Sequence, residues 1–226
     1  MQYNTLFCND MNLDFKSTDS LIFDMDGTLW DATDSYAAVW NATFEHFGLD
    51  KRITRDDLCP YMGMTLDRII SGLLKGQAID TPAFIAHLHT TEQQLMPRLG
   101  GRPFPGLRQG LERLASCYRL FMVSNCGRYG LRDFGVFTGT AHCFTATLSH
   151  GQNPVPKSDN ISLIASQYSL QAPVYVGDTQ SDCDQAHRAG VPFVFAAYGF
   201  GCCSDPDASF SSFHDIVEFF MSLKQQ

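Results

Sequence analysis

Four short apolar runs, each stopped by a polar or turn-forming residue, constrain this chain more than any other feature. Leu21-Ile22-Phe23 runs into Asp24, and Leu120 to Val123 runs into Ser124 and Asn125. Val174-Tyr175-Val176 is followed by Gly177 and Asp178, and Val191 to Phe195 ends near Tyr198-Gly199. Runs that are apolar at successive positions read as strands covered on both faces. Helical spacing precedes the second and third runs: Leu107, Leu111 and Leu114, then Ile161, Ile164, Ala165 and Tyr168. Strands alternating with helices predict an α/β fold, with a Rossmann-like parallel sheet as its core.

One interval breaks the alternation. From about Ser35 to Gly101 no strand pattern occurs. Tyr36, Val39, Trp40, Thr43, Phe44 and Phe47 make one helical face, and Gly48 follows it. Thr54 can cap a short helix beginning near Arg55. Leu66, Ile69, Ile70, Leu73 and Leu74 form a further helix before Gly76, and Thr81-Pro82 reads as a cap and first turn. Phe84, Ile85, Leu88, Leu95 and Leu99 continue that last helix into the breaker cluster 100–106. The length agrees with an insertion: 226 residues, at roughly 150 per domain, make about one and a half domains. The expected organisation is a small all-helical cap at 35–101 inserted into a core made of 1–34 and 102–226. Hinges are expected near Thr33–Ser35 and Gly100–Pro105.

Composition narrows the function classes. Sixteen basic against twenty-four acidic residues give a formal charge of −8, which argues against a nucleic-acid surface, since that needs clustered cations. No apolar run approaches the roughly 18 residues of a membrane span. The start of the chain lacks the pattern of a secretory signal, so a cytoplasmic protein is expected. The eight cysteines form no C-x-x-C pair and are expected to be free thiols. His87 and His89, two apart, face different ways on a helix and are read as ordinary packing or surface residues. Residues 1–19 carry no readable role, and a monomer and a homodimer are both compatible with the sequence.

The polar residues that stop the runs would converge on one sheet edge, because ligands of open α/β sheets bind at the carboxyl ends of the strands. Asp24 and Asp26 stand two apart in Asp24-Met25-Asp26-Gly27-Thr28, and two carboxylates so close need a cation or a shared proton. Ser124 and Asn125 offer a hydroxyl, an amide and backbone N–H groups to an anion. Lys157 is one of only five lysines and the only one between Ser124 and Asp178. Asp178 and Asp182 are four apart and are expected to share a face of the following helix. Oxygen ligands of this kind suit Mg²⁺.

With these residues in this order, the sequence resembles the haloacid dehalogenase superfamily, in its Asp-nucleophile phosphatase branch with a helical cap. The similarity spans about residues 20 to 201, and the motifs are specific as a set. The resemblance implies Asp24 as nucleophile and Asp26 as general acid and base, its backbone carbonyl also meeting Mg²⁺. It implies Ser124 and Lys157 as phosphate-binding residues, with Asn125 beside them. Asp178 would ligate Mg²⁺, and Asp182 would ligate it or support the site. Dehalogenating relatives lack the second carboxylate, so Asp26 favours phosphoryl transfer. Relatives often have Pro after the motif lysine; here Pro156 precedes Lys157 and Ser158 follows it.

The expected activity is Mg²⁺-dependent hydrolysis of a small phosphorylated metabolite, phosphoglycolate phosphatase-like, with no nucleic acid or membrane as partner. The resemblance puts a specificity loop around Tyr61, Gly63, Met64 and Thr65, with Arg68 nearby to meet a second anionic group. A β-phosphoglucomutase-like mutase would use the same residues, and a non-catalytic binding module is the alternative from another class.

Overall fold

The computed structural model describes residues 15–225. Most of the amino-terminal segment that sequence left without a role therefore lies outside the described residues; Phe15–Ser17 form a 3-10 turn. The core sheet holds β1 (Ser20–Phe23), β4 (Arg119–Ser124), β5 (Phe144–Ser149), β6 (Pro173–Gly177), β7 (Phe193–Ala196) and β8 (Ala208–Phe210). Their spatial order is β5-β4-β1-β6-β7-β8, and every pairing is parallel. β1 is central, with Phe23 opposite Met122 on one side and Val176 on the other. Asp24, Ser124 and Asp178 thus emerge side by side at one edge.

The strict period of two along a strand explains the unbroken apolar runs. Leu21, Phe23, Leu120, Met122, Val174 and Val176 face one layer, which includes Leu111 and Leu114 of α5 (Leu107–Ala115) and Ile216 and Phe220 of α9 (Phe213–Leu223). Ile22, Phe121, Val123, Tyr175 and Phe193 face the other layer. That layer is built by Ile161 and Ile164 of α7 (Lys157–Gln167) and Ala186 of α8 (Gln180–Arg188). α6 (Gly130–Thr138) packs between β4 and β5 in sequence and brings Phe134 against Trp30, rings 5.1 Å apart. Each large side chain so buried is worth about 1.5–3 kcal/mol.

The helical insertion follows β2 (Trp30–Asp31) and returns through β3 (Arg102–Pro103), and these two short strands pair antiparallel. Between them run α1 (Thr33–His46), α2 (Arg55–Leu58), α3 (Leu66–Leu73) and α4 (Thr81–Leu99). α1 and α4 pack through Trp40, Phe44 and Phe84, with ring centroids 5.8 to 6.1 Å apart. Thr54 caps α2 in a reciprocal capping box with Asp57. α4 is capped one residue earlier than expected: Asp80, extended, accepts from the Ala83 N–H at 3.2 Å, and Thr81 is the first helical residue. The expected hinge at Thr33–Ser35 falls within the first turn of α1; the extended crossing is at Trp30–Asp31 instead. Arg55 reaches back to that crossing and pairs with Asp31 at 2.5 Å. Among the described residues, no helix is long and apolar enough to cross a membrane, and the seven described cysteines are free thiols.

Candidate active site

The carboxyl edge of the sheet holds a buried charge cluster. Asp24 ends β1, its N–H donating to the Val176 carbonyl at 2.8 Å, and its side chain is fully buried. Neither carboxylate oxygen receives a hydrogen bond; the Lys157 ammonium stands 3.2 Å from Oδ1 as an ion pair. Lys157, the first residue of α7, donates to Asp182 Oδ1 at 2.6 Å and lies over the Tyr175 ring at 5.8 Å. Tyr175 is fixed in turn by its hydroxyl, which donates to the Val123 carbonyl at 2.8 Å.

Asp178 and Asp182 do not share a helix face as expected. Thr179 is the N-cap of α8, so Asp178 lies in the loop before the helix. Asp182 is the third helical residue, and its Oδ2 accepts from the Thr179 N–H (3.1 Å), the Thr179 hydroxyl (2.7 Å) and the Asp178 N–H (3.2 Å). Asp182 thus closes a capping box with Thr179, and the turn brings both carboxylates beside Asp24. Asp178 Oδ1 accepts from the Thr28 hydroxyl at 3.2 Å and Oδ2 from the Phe200 N–H at 2.8 Å. Gly27 is required here: at φ +81° a Cβ would stand 2.1 Å from Asp178 Oδ2.

Ligand atoms of Asp24, Asp178 and Asp182 lie within 4.8 Å of one another. Three carboxylates against one ammonium leave two negative charges buried, an expensive state without a further cation. Burial pushes the Asp24 carboxyl up, Lys157 pulls it down, Asp182 pushes it up again, and the net shift is upward. Asp178 is driven well up by burial and by the charges of Asp182 and Asp24. Lys157 is opposed by burial, yet Asp182 and Asp24 hold it firmly protonated. The free buried oxygens of Asp24, the hard oxygen donors and the charge deficit fit a divalent cation.

Beside the cluster opens a cavity of about 290 Å³. Asp26 and Ser124 line its core side, and Asp26 accepts from the Trp30 indole N–H at 2.9 Å. Burial and then the Asp24 charge push the Asp26 carboxyl well up. Asn125 also lines the cavity, but its amide donates to the Gly63 carbonyl at 2.9 Å and so ties the β4 loop to the insertion. Tyr61, Gly63 and Met64 line the insertion side. Thr65 stands at the N-cap position of α3 with no side-chain cap bond and does not line the cavity, and Arg68 is exposed on α3 outside it.

Sequence reasoning missed three cavity residues: Glu92 and His89 on α4, and His150, whose buried Nδ1 has no partner. Glu92 is pushed up to about 7 by burial and then by the charge of Asp133. On an amphipathic helix a Glu reads as a solvated face, so no local signal marked it. Cys126 also borders the cavity, with burial and the nearby carboxylates holding it as a thiol.

The model of the haloacid dehalogenase-like hydrolase family matches residues 21–196. The chain belongs to that family. Among curated proteins, this haloacid dehalogenase-like hydrolase is similar to a phosphoglycolate phosphatase of Aquifex aeolicus, 24% identical over 207 residues that cover 88% of this chain and 94% of the relative. A phosphoglycolate phosphatase of Cereibacter sphaeroides is 27% identical over 193 residues, covering 80% of this chain and 85% of the relative. Among solved structures, a haloacid dehalogenase-like hydrolase from Streptococcus pneumoniae superposes with a TM-score of 0.79 at 20% identity, covering 90% of this chain and 99% of that one. The hydrolase thus has the α/β fold of its family, with the helical insertion after β2.

Proposed function

We propose that this hydrolase is a Mg²⁺-dependent phosphatase of small phosphomonoesters, phosphoglycolate phosphatase-like, acting through an aspartyl-phosphate. The observation that carries this reading is the Asp24 carboxylate: buried, free of hydrogen bonds, and paired with Lys157 at 3.2 Å. A carboxylate left so bare at the end of the central strand is a nucleophile rather than a structural acid. The names of the curated relatives support a small phosphomonoester as substrate.

In this reading, an Asp24 oxygen bonds to phosphorus as the ester's phosphorus–oxygen bond breaks. Asp26, kept protonated by burial and by Asp24, gives its proton to the departing alkoxide. Asp26 then takes a proton from the water that attacks the acyl phosphate, which regenerates Asp24 and releases phosphate. Lys157 and Ser124 hold phosphoryl oxygens, and the ammonium offsets the repulsion between nucleophile and substrate. Mg²⁺ held by Asp24 and Asp178, with Asp182 orienting the loop, would add positive charge at those same oxygens. Residues 1–34 and 102–226 act as the catalytic core. Residues 35–101 act as a cap that covers the cavity and excludes water.

The test is release of inorganic phosphate from an aryl phosphate. Turnover is expected with Mg²⁺, lost with a chelator and restored by added Mg²⁺. Wild-type turnover by Asp24→Asn would overturn the scheme.

A further inference from the structure

The cavity's insertion side has a chemistry that its curated relatives' names do not suggest. No lysine or arginine lines it. Its walls are Tyr36, Trp40, Tyr61 and Leu88 among other apolar groups, and its ionisable groups are Asp67, His89 and Glu92, facing Asp26 and His150 on the core side. Arg68, the cation expected to meet a second anionic group, is exposed outside the cavity. Glu92 lines the pocket from α4, and among the described residues no side chain donates to it. Asp26 lines the same cavity from the core side.

A carboxylate on the leaving group would meet aromatic rings and other carboxyl groups there, with no lysine or arginine to offset its desolvation. A hydrogen-bond donor would instead give Glu92 the partner it lacks, and ring faces suit an apolar body or a nearby ammonium. We propose that the leaving group this enzyme accepts is a non-anionic alcohol, with an apolar body and a hydroxyl or ammonium donor directed at Glu92, and that Glu92 sets this specificity. The inference rests on the phosphatase reading of the same site, and it separates this chain from hydrolysis of an ester whose alcohol carries a carboxylate.

A matched series of benzyl phosphates tests it, with para-carboxylate, para-hydroxymethyl and para-aminomethyl substituents. The kcat/KM of the wild-type enzyme is expected to be at least about tenfold lower for the carboxylate than for either donor ester. A higher value for aminomethyl than for hydroxymethyl assigns the ammonium, and the reverse assigns the hydroxyl. Glu92→Gln is expected to reduce the aminomethyl-to-carboxylate ratio at least about tenfold. A carboxylate ester that ranks first, or a ratio unmoved by Glu92→Gln, overturns the proposal; if that variant folds poorly, the wild-type ranking decides alone. Calorimetric binding of the three esters to Asp24→Asn gives the ranking without turnover. Absent hydrolysis with the ranking intact would sink the phosphatase reading and leave the specificity of Glu92 standing, whereas hydrolysis with the ranking reversed does the opposite.

Discussion

The two sides of the cleft are built on opposite principles. On the core side, Asp24, Lys157, Asp178 and Asp182 are no more than 4% exposed, and each is held by the backbone of a strand end or a helix start. On the insertion side, Tyr61 and Glu92 are half-buried and Met64 is exposed, and Asn125 of the core donates to the Gly63 carbonyl of that loop. The first side stores electrostatic energy in a rigid frame. The second offers shape and the uncommitted carboxyl of Glu92. A site divided in this way keeps its chemistry fixed while its choice of partner remains free to vary.

The strongest way to break this contrast is Asp24→Asn. It is expected to lower kcat on an aryl phosphate by at least about 1,000-fold, and in metal-free buffer to raise the unfolding midpoint, because a buried charge is removed. A fall in both would mean that Asp24 supports the fold. Next comes Lys157→Met, which leaves Asp24 and Asp182 facing each other without a cation. Urea unfolding in metal-free buffer at pH 8 should show a loss of about 3–5 kcal/mol. The loss should shrink toward acid pH as the carboxyls take up protons. Full stability at pH 8 would remove the idea of stored charge.

Glu92 gives a smaller effect with a defined sign. Burial pushes its folded carboxyl up to about 7, above the ordinary value of 4.5. The unfolded chain therefore loses this proton first, and wild-type stability falls as pH rises between those two values. Glu92→Gln removes that slope, so it should gain about 1–2 kcal/mol on wild type between pH 5 and pH 8 after allowance for solvent screening. Parallel pH profiles for the two proteins would contradict this. The smallest effect is expected from Asn125→Ala, which deletes one partly buried hydrogen bond worth about 1 kcal/mol. It should raise KM severalfold and leave the urea midpoint nearly unchanged, and a shifted midpoint with constant KM would make the contact structural.

Legibility in the sequence follows the same division. The four central strands could be read because both of their faces are covered. β5 and β8 could not: Phe144-Thr-Ala-Thr-Leu-Ser149 alternates and is largely half-exposed at the sheet's edge, and Ala208–Phe210 is a short strand at the other edge. Asp24, Ser124 and Asp178 stood out because each terminates an apolar run, so strand ends forecast a convergence that the fold produces. The capping box at Thr179 was hidden in a spacing of four, which fits a helical face equally well until the start of α8 is known. Glu92 and His150 reach the cavity through packing of distant segments, for which local sequence has no signature. Arg68 carried the right charge, but the turn of α3 directs it to solvent.

The pairing of β2 with β3 has a consequence for how such enzymes can be remade. Trp30 lies opposite Pro103 and Asp31 opposite Arg102, so the chain leaves and rejoins the core through one narrow doorway. The ends of the inserted segment are already clamped together, and the entropy of closing so long a loop grows only slowly with its length. A helical segment of another size and lining could be spliced at that doorway with little strain on the sheet beneath. The two short strands are in effect a socket, and the cavity's preferences travel with whatever is plugged into it.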